Sequence, residues 1–240
     1  MALFGAITLG AALLSTVAAF AYLFWRYVWF FRNPKRLIPK GEDILSPADG
    51  KVVYAYKVPA GEPVMSIKGE RRISIADIAR EDLEEEKILV GIFMSPFDVH
   101  YNRAPLSGRV EYIRHHPPDP KNYHMGSMHW NSLLGRLPIH ENSRHILRNE
   151  RTVSKIRGRF MGHTVYCYVV QIAGGSVCGI DTFIKEKDFV ERGRIFGMIR
   201  VGSQVDVVVS WHESMRIRVK PGERVRAGES VLIEGQDVIP

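Results

Sequence analysis

The sharpest chemical signal in the sequence is a Gly202-Ser203 step between two apolar runs, in Arg194-Ile-Phe-Gly-Met-Ile-Arg-Val-Gly-Ser-Gln-Val-Asp-Val-Val-Val209. Glycine tolerates a strained backbone and leaves its carbonyl carbon unshielded, so a tight turn would hold the Ser203 hydroxyl against the Gly202 carbonyl. An N-to-O acyl shift would turn that peptide into an ester. β-Elimination and hydrolysis would then split the chain and leave a pyruvoyl group at the new N-terminus. A Gly-Ser dipeptide on its own is equally an ordinary turn, and the chain holds two others, Gly126-Ser127 and Gly175-Ser176. A serine hydroxyl near neutral pH also needs a base. His100 is the candidate, in Asp98-Val99-His100, where strand alternation predicts that Asp98 and His100 share a face and that the carboxylate orients the ring. The plain alternative is a histidine that merely ends a strand.

The other histidines, His115, His116, His124, His129, His140 and His145, do not follow helical zinc spacings and have no matching Cys or acidic set, so no metal is expected. Cys167 and Cys178 suit small core residues kept reduced in a cytosolic domain. The formal charge of +7 suits an anionic partner. Basic residues are spread widely without an aromatic-basic RNA motif, which argues against nucleic acid and leaves an acidic lipid surface. Arg103, Lys121, Arg136 and Arg151 are candidate phosphate contacts, because arginine offers paired planar donors.

The N-terminus points the same way. No charge occurs from Leu3 to Phe24, a run long enough to cross a bilayer as a helix. Trp25, Tyr27, Trp29, Phe30 and Phe31 follow, interleaved with Arg26 and Arg32 and then Lys35 and Arg36, an aromatic belt with a positive flank that predicts a cytoplasmic domain at the inner membrane. A cleaved signal peptide fits poorly, because the charge follows the apolar run and no small-residue cleavage site is present. Residues 1–32 thus read as anchor, 33–43 as a Pro- and charge-rich linker, and 44–240 as the folded domain.

In that domain short β-branched runs alternate with Gly and Pro: Lys51–Val58, Lys87–Met94, Gly108–His115, His163–Ala173, Ser176–Phe183, Gln204–Val209, Met215–Val219 and Ser230–Ile233. The fold class is mainly β, with helix expected only at Ile75–Glu86 and Asn142–Leu147. Two internal repeats refine it. Lys185 to Gly193 recurs as Lys220 to Gly228, and Pro47-Ala-Asp-Gly50-Lys-Val recurs as Pro105-Leu-Ser-Gly108-Arg-Val. Such turns between short strands suit a curled sheet, a compact β-barrel similar in shape to the barrel-sandwich hybrid of lipoyl and biotinyl carriers.

Phe196-Gly-Met-Ile-Arg-Val-Gly-Ser-Gln-Val-Asp resembles the processing site of the phosphatidylserine decarboxylase family in its short bacterial and archaeal form. Further matches are Phe30-Phe-Arg-Asn-Pro-Lys-Arg, Ser46-Pro-Ala-Asp-Gly50, Met94-Ser-Pro-Phe-Asp-Val-His-Tyr-Asn-Arg-Ala-Pro105, Asn149-Glu-Arg151 and Val170-Gln-Ile-Ala173, in the family's order along nearly the whole chain. The resemblance implies cleavage between Gly202 and Ser203 into a β chain, 1–202, and an α chain, 203–240, held together by strand pairing. It implies decarboxylation of phosphatidylserine to phosphatidylethanolamine through a Schiff base to the pyruvoyl group made from Ser203. Asp49, in the family's Pro-x-Asp-Gly turn, is by that resemblance a second carboxylate that orients the base. One position departs from the pattern: longer members carry a second His three residues after the first, where this chain has Arg103, so the base falls to His100 or a distant histidine. Alternatives are an archaetidylserine decarboxylase of the same mechanism, a membrane-tethered hybrid-fold binding module without chemistry, and a membrane metallopeptidase.

Overall fold

A computed structural model describes residues 1–61, 65–68, 71–74, 85–118, 121–138, 149–175, 179–200 and 203–236. The chain divides into two compact units, Met1–Pro34 and Lys35–Pro240. The first is helix α1, Ala2–Phe24, which runs into a π-helical turn over Trp25–Trp29. Its Phe4–Trp29 stretch has mean hydropathy 1.9, so it is long and apolar enough to cross a membrane.

The second unit is mainly β. Its strands are β1 (Ile44–Leu45), β2 (Gly50–Val58), β3 (Met65–Lys68), β4 (Arg71–Ser74), β5 (Lys87–Met94), β6 (Tyr101–Arg103), β7 (Gly108–His116) and β8 (Arg151–Phe160). Then come β9 (His163–Ala173), β10 (Ile180–Thr182), β11 (Phe189–Val190), β12 (Ile195–Ile199), β13 (Ser203–Ser210), β14 (Met215–Ile217), β15 (Arg224–Val225) and β16 (Val231–Gly235). Helix α2, Gly126–Leu133, interrupts them. The main sheet has eight strands in the order β11-β7-β8-β9-β13-β5-β2-β15, and every neighbouring pair is antiparallel. Two three-stranded sheets, β10-β12-β6 and β1-β16-β14, and the hairpin β3-β4 complete it.

β13 lies near the middle of the main sheet, and its Val-rich run is buried at every position, as a strand covered on both faces requires. Val205, Val207 and Val209 join Val52, Ile92, Met94, Val169 and Phe196 in the inner core. Val208 packs the other way with Leu89, Phe93, Tyr168, Met125 and Met128, the methionines belonging to α2 and its N-terminal edge. Each such aliphatic side chain contributes about 1.5–3 kcal/mol when fully buried. The outer face of β13 also carries a buried polar lock: Tyr54 Oη donates to Asp206 Oδ2 at 2.8 Å, and Gln204 Nε2 donates to Asp206 Oδ1 at 2.8 Å. A one-residue slip would tear these bonds and turn the valines out of the core, so the lock fixes the register that places Ser203.

The two repeats meet in space. Lys185 N–H donates to Asp188 Oδ2 (2.8 Å) as Lys220 N–H does to Glu223 Oε2 (3.0 Å). Val110 N–H reaches the Asp188 carbonyl and Val52 N–H the Glu223 carbonyl, both at 2.9 Å. Gly193 N–H bonds Ala104 O and Gly228 N–H bonds Ser46 O, both at 2.8 Å, with φ of 79° and 75° at the two glycines. The sheet is thus two similar halves, β11-β7-β8-β9 and β13-β5-β2-β15, that join at the β9–β13 seam.

Gly50 and Gly108 hold matching places in the two halves. A Cβ on Gly50 would fall well inside contact distance of the Phe93 carbonyl oxygen, and one on Gly108 would meet that of Arg157. Gly50→Ala is therefore expected to destabilise the domain by about 1–3 kcal/mol, toward the upper end because the obstructing atom is backbone. Denaturant midpoints of the two proteins measure it, and an unchanged midpoint would show that the strands part freely there.

Residues 35–43 are not a free tether. Arg36 pairs with Asp49, the Leu37 N–H donates to Glu229 (3.0 Å), and Arg192 donates to the carbonyls of Pro39 and Asp43. The expected helices at Ile75–Glu86 and Asn142–Leu147 fall, but for Glu85 and Glu86, outside the described residues, as does Ser176–Cys178 of the expected strand there.

Candidate active site

Ser203 is the first residue of β13, with Met94 of β5 on one side and Ala173 of β9 on the other. Its side chain is fully buried on the inner face, and Oγ lies 3.3 Å from Met94 Sδ. Gly202 lies outside the described residues. A side chain so placed has its position set by two flanking ladders and is shielded from water.

Two amide side chains share that inner space. Asn102 of β6 approaches Met94 Sδ through Nδ2 (3.8 Å), and its Oδ1 accepts from Gln171 Nε2 of β9 at 2.8 Å. Both residues are fully buried, and Gln171 Oε1 has no hydrogen-bond partner among the described residues. Gly197 leaves the room, since a Cβ there would stand 2.9 Å from Gln171 Nε2. A buried, unmatched amide oxygen costs free energy, so such an atom in the inner space of the sheet calls for a functional account. Asn149 holds the neighbouring edge: its Nδ2 donates to Ala173 O (2.6 Å) and Tyr123 O (2.9 Å), and its Oδ1 accepts from Tyr123 N–H (2.7 Å). Asn102, Gln171 and Asn149 were not singled out by the sequence reasoning. Each nonetheless stands in a quoted motif, and for Gln171 a polar residue inside an apolar strand run is the signal.

His100 is fully buried just before β6, two residues from Asn102, and the alternation 100, 102 against the half-buried 101, 103 puts both on the inward side. Its Nδ1 is 2.9 Å from the Asp98 carbonyl oxygen. A carbonyl only accepts, so Nδ1 carries the hydrogen and Nε2 of the neutral ring carries the lone pair. The backbone of Asp98 therefore orients the ring, and its carboxylate does not. Ser95–Asp98 is a turn, not a strand: Asp98 N–H donates to Ser95 O (3.0 Å), and Oδ2 accepts from Ser95 N–H (2.8 Å). Oδ1 turns to Arg224 at 3.3 Å. Strand alternation fails because the chain reverses there.

Asp49 and Arg103 are engaged elsewhere. Asp49 takes both oxygens to Arg36 (2.8 and 3.0 Å), and Oδ1 also accepts from Ala227 N–H at 2.7 Å. In the matching turn Ser107 Oγ accepts from Arg192 N–H (2.9 Å), so Asp49 closes one of the two repeated turns instead of touching His100. Arg103 points away from Asn102 and donates to Gly193 O at 2.8 Å. Burial, and then the neighbouring Arg36, hold its pKa below the ordinary arginine value against Asp49 and Glu229. Arg151 opens β8 opposite Ile172, on the outer face of the sheet, while Ser203 faces inward. The structure brings neither arginine to Ser203. A groove of about 450 Å³ lined by Arg109, Arg157, Arg159 and Arg192 lies at the far end of the ladder from Ala173 and is separate from the Ser203 site.

The sequence profile of the phosphatidylserine decarboxylase family matches residues 23–233. A protein of Methanothermobacter thermautotrophicus assigned as an archaetidylserine decarboxylase proenzyme is 37% identical over 231 residues, covering 96% of this chain and 86% of its own. One of Methanocaldococcus jannaschii, assigned likewise, is 36% identical over 206 residues (85% and 87%). The phosphatidylserine decarboxylase proenzyme of Amoebophilus asiaticus is 32% identical over 234 residues (97% and 86%). These matches, over 85–97% of the chain, define a class: decarboxylases made as proenzymes. The chain belongs to the phosphatidylserine decarboxylase family.

Proposed function

We propose that the chain cleaves itself between Gly202 and Ser203 and then decarboxylates phosphatidylserine to phosphatidylethanolamine at the cytoplasmic face of the cell membrane. The observation that carries this is Ser203 itself, buried at the head of β13 and flanked by Met94 and Ala173 of two quoted motifs. A pyruvoyl group at position 203 fits the surroundings, where the Asn102–Gln171 amides and the unmatched Gln171 Oε1 supply polar partners in a dry space. Bound there, it supplies a carbonyl that draws off the electrons left by a departing carboxylate. His100 Nε2 is the atom we assign to take the Ser203 proton during cleavage and to return a proton after carbon dioxide leaves. Cleavage leaves the halves joined, because β13 keeps its ladders to β5 and β9, and β16 its ladder to β1.

The archaeal relatives favour a second substrate, archaetidylserine, with the same serine headgroup on ether-linked chains. The two readings share all of the chemistry above and differ in the lipid that carries the serine headgroup.

Denaturing mass measurement of the purified protein is the test. The expected result is a fragment beginning at residue 203 with a ketone in place of its amino group, shifted by borohydride, and carbon dioxide released from phosphatidylserine and archaetidylserine vesicles. An active preparation consisting of one unsplit chain that ignores borohydride would end the reading.

A further inference from the structure

Helix α2 has two sides of different character. Met125 and Met128 pack on the outer face of the sheet, 6% and 0% exposed. Away from them, Trp130, Leu133, Leu134 and Leu137 are each between 57% and 65% exposed. Single exposed apolar residues are ordinary, but four large ones on one short helix and the turn after it mark a contact surface.

Within residues 121–138 the charge has one sign. Residues 121–138 contain Lys121 and Arg136 and no Asp or Glu. Lys51 Nζ donates to the Ser132 carbonyl, and Leu137 lies 3.8 Å from where a Cβ on Gly222 would stand, so the end of α2 is fixed against the β2–β15 edge. Arg224 is the cross-strand partner of Lys51 and pairs with Asp98 at 3.3 Å. Asp98 follows Phe97, which is 62% exposed, in the turn that leads to His100. The apolar cluster, a cationic edge and the His100 turn thus form one continuous rim.

We infer that this rim is a docking surface for an anionic lipid bilayer. Tryptophan settles at the boundary between headgroups and acyl chains because its ring is apolar and its N–H polar. The leucines supply apolar area at that depth, and the exposed Arg136 and Arg224 meet the phosphates. A bilayer offers an apolar interior under an anionic surface, which matches both features of the rim, and the Phe4–Trp29 helix suits the same partner. The inference rests on the decarboxylase reading only for what it delivers: a lipid would reach the His100 turn from the membrane without crossing bulk water.

The test uses the full chain in nanodiscs containing phosphatidylglycerol, with an environment-sensitive fluorophore at Leu134→Cys in a Cys178→Ser background. Cys167 stays unlabelled, since it is buried and burial pushes its thiol pKa far up. At position 134, brominated acyl chains should quench the dye and aqueous iodide should not; at the exposed Glu213→Cys the pattern should reverse. In a Leu133→Asp/Leu134→Asp variant, turnover of bilayer phosphatidylserine should fall about tenfold relative to turnover of monomeric short-chain phosphatidylserine. Iodide access at position 134, or equal loss on both substrates, would overturn the inference, as would a disulfide joining two Leu134→Cys chains in detergent, which would give the surface to a second copy. An acyl-chain-quenched dye on a wild-type-like chain without any decarboxylation would instead sink the decarboxylase reading and leave the docking surface standing.

Discussion

Replacing Ser203 by alanine is expected to leave a single chain of 27.3 kDa and to abolish decarboxylation. The expectation separates chemistry from folding because of where the residue sits. Ser203 is fully buried, and Met94 Sδ, a weak acceptor, is the hydrogen-bond partner found for its Oγ among the described residues. Alanine fits the same space and leaves the backbone ladders to Met94 and Ala173 intact, so its cost to stability should be within about 1 kcal/mol. What it removes is the hydroxyl, which in the proposed reaction attacks the Gly202 carbonyl and then leaves with it as carboxylate, so that water can replace the amine on the remaining carbon and give the ketone. Gel migration, thermal midpoint and carbon dioxide release from one preparation give the three readouts. A variant that still splits, or that stays whole and active, would move the site away from β13.

The loss should also spread to any residue that sets the register of β13. That is why the Tyr54–Gln204–Asp206 lock matters although it faces away from the serine. A nucleophile at the first position of a strand is aimed by whatever fixes the rest of that strand.

Much of the fold was legible because its strands are short, β-branched and punctuated by glycine. Lys87–Met94 and His163–Ala173 fall at the expected bounds, and the two repeats predicted two matching turns that bond alike. β8 was missed because Arg151-Thr-Val-Ser-Lys-Ile-Arg-Gly-Arg-Phe160 reads as a charged surface. Its Lys155 is made tolerable by partners on neighbouring strands, among them Glu111 at 3.3 Å and the Tyr166 ring at 4.6 Å. Its Gly158 is needed because Leu106 fills the space a side chain would take. Helix α2 was missed because a start at Gly126-Ser127 suggests a turn, and only its seating on the sheet through Met128 stabilises it.

The site divides the same way. Ser203 and His100 could be named from residue type and motif, but the partners of the carboxylates could not. Asp49 finds its guanidinium 13 residues away and its backbone donor 178 residues away, and Asp98 spends its oxygens on a turn and on Arg224. Which acid meets which base is a property of the folded sheet, and no local pattern encodes it. The positive residue at 103 illustrates this: the fold uses it to hold Gly193 in a repeated turn.

His100 then has the second largest expected effect. The Asp98 carbonyl fixes Nδ1 as the protonated nitrogen, so Nε2 is the atom that the proposed reaction would use as base. Removing a positioned general acid or base costs about 10²–10⁴-fold in rate, so His100→Ala should lower decarboxylation by at least about 100-fold. The form of the loss assigns the step. A chain that stays at 27.3 kDa would make His100 the base for cleavage, whereas a split, ketone-bearing and inert protein would make it the proton donor after decarboxylation. His100→Asn sharpens the test, because its amide N–H can still donate to the Asp98 carbonyl while lacking a basic nitrogen, and it should fail as His100→Ala does. Full activity in the asparagine variant would mean that the ring only holds the turn, and the base would have to be sought at another histidine.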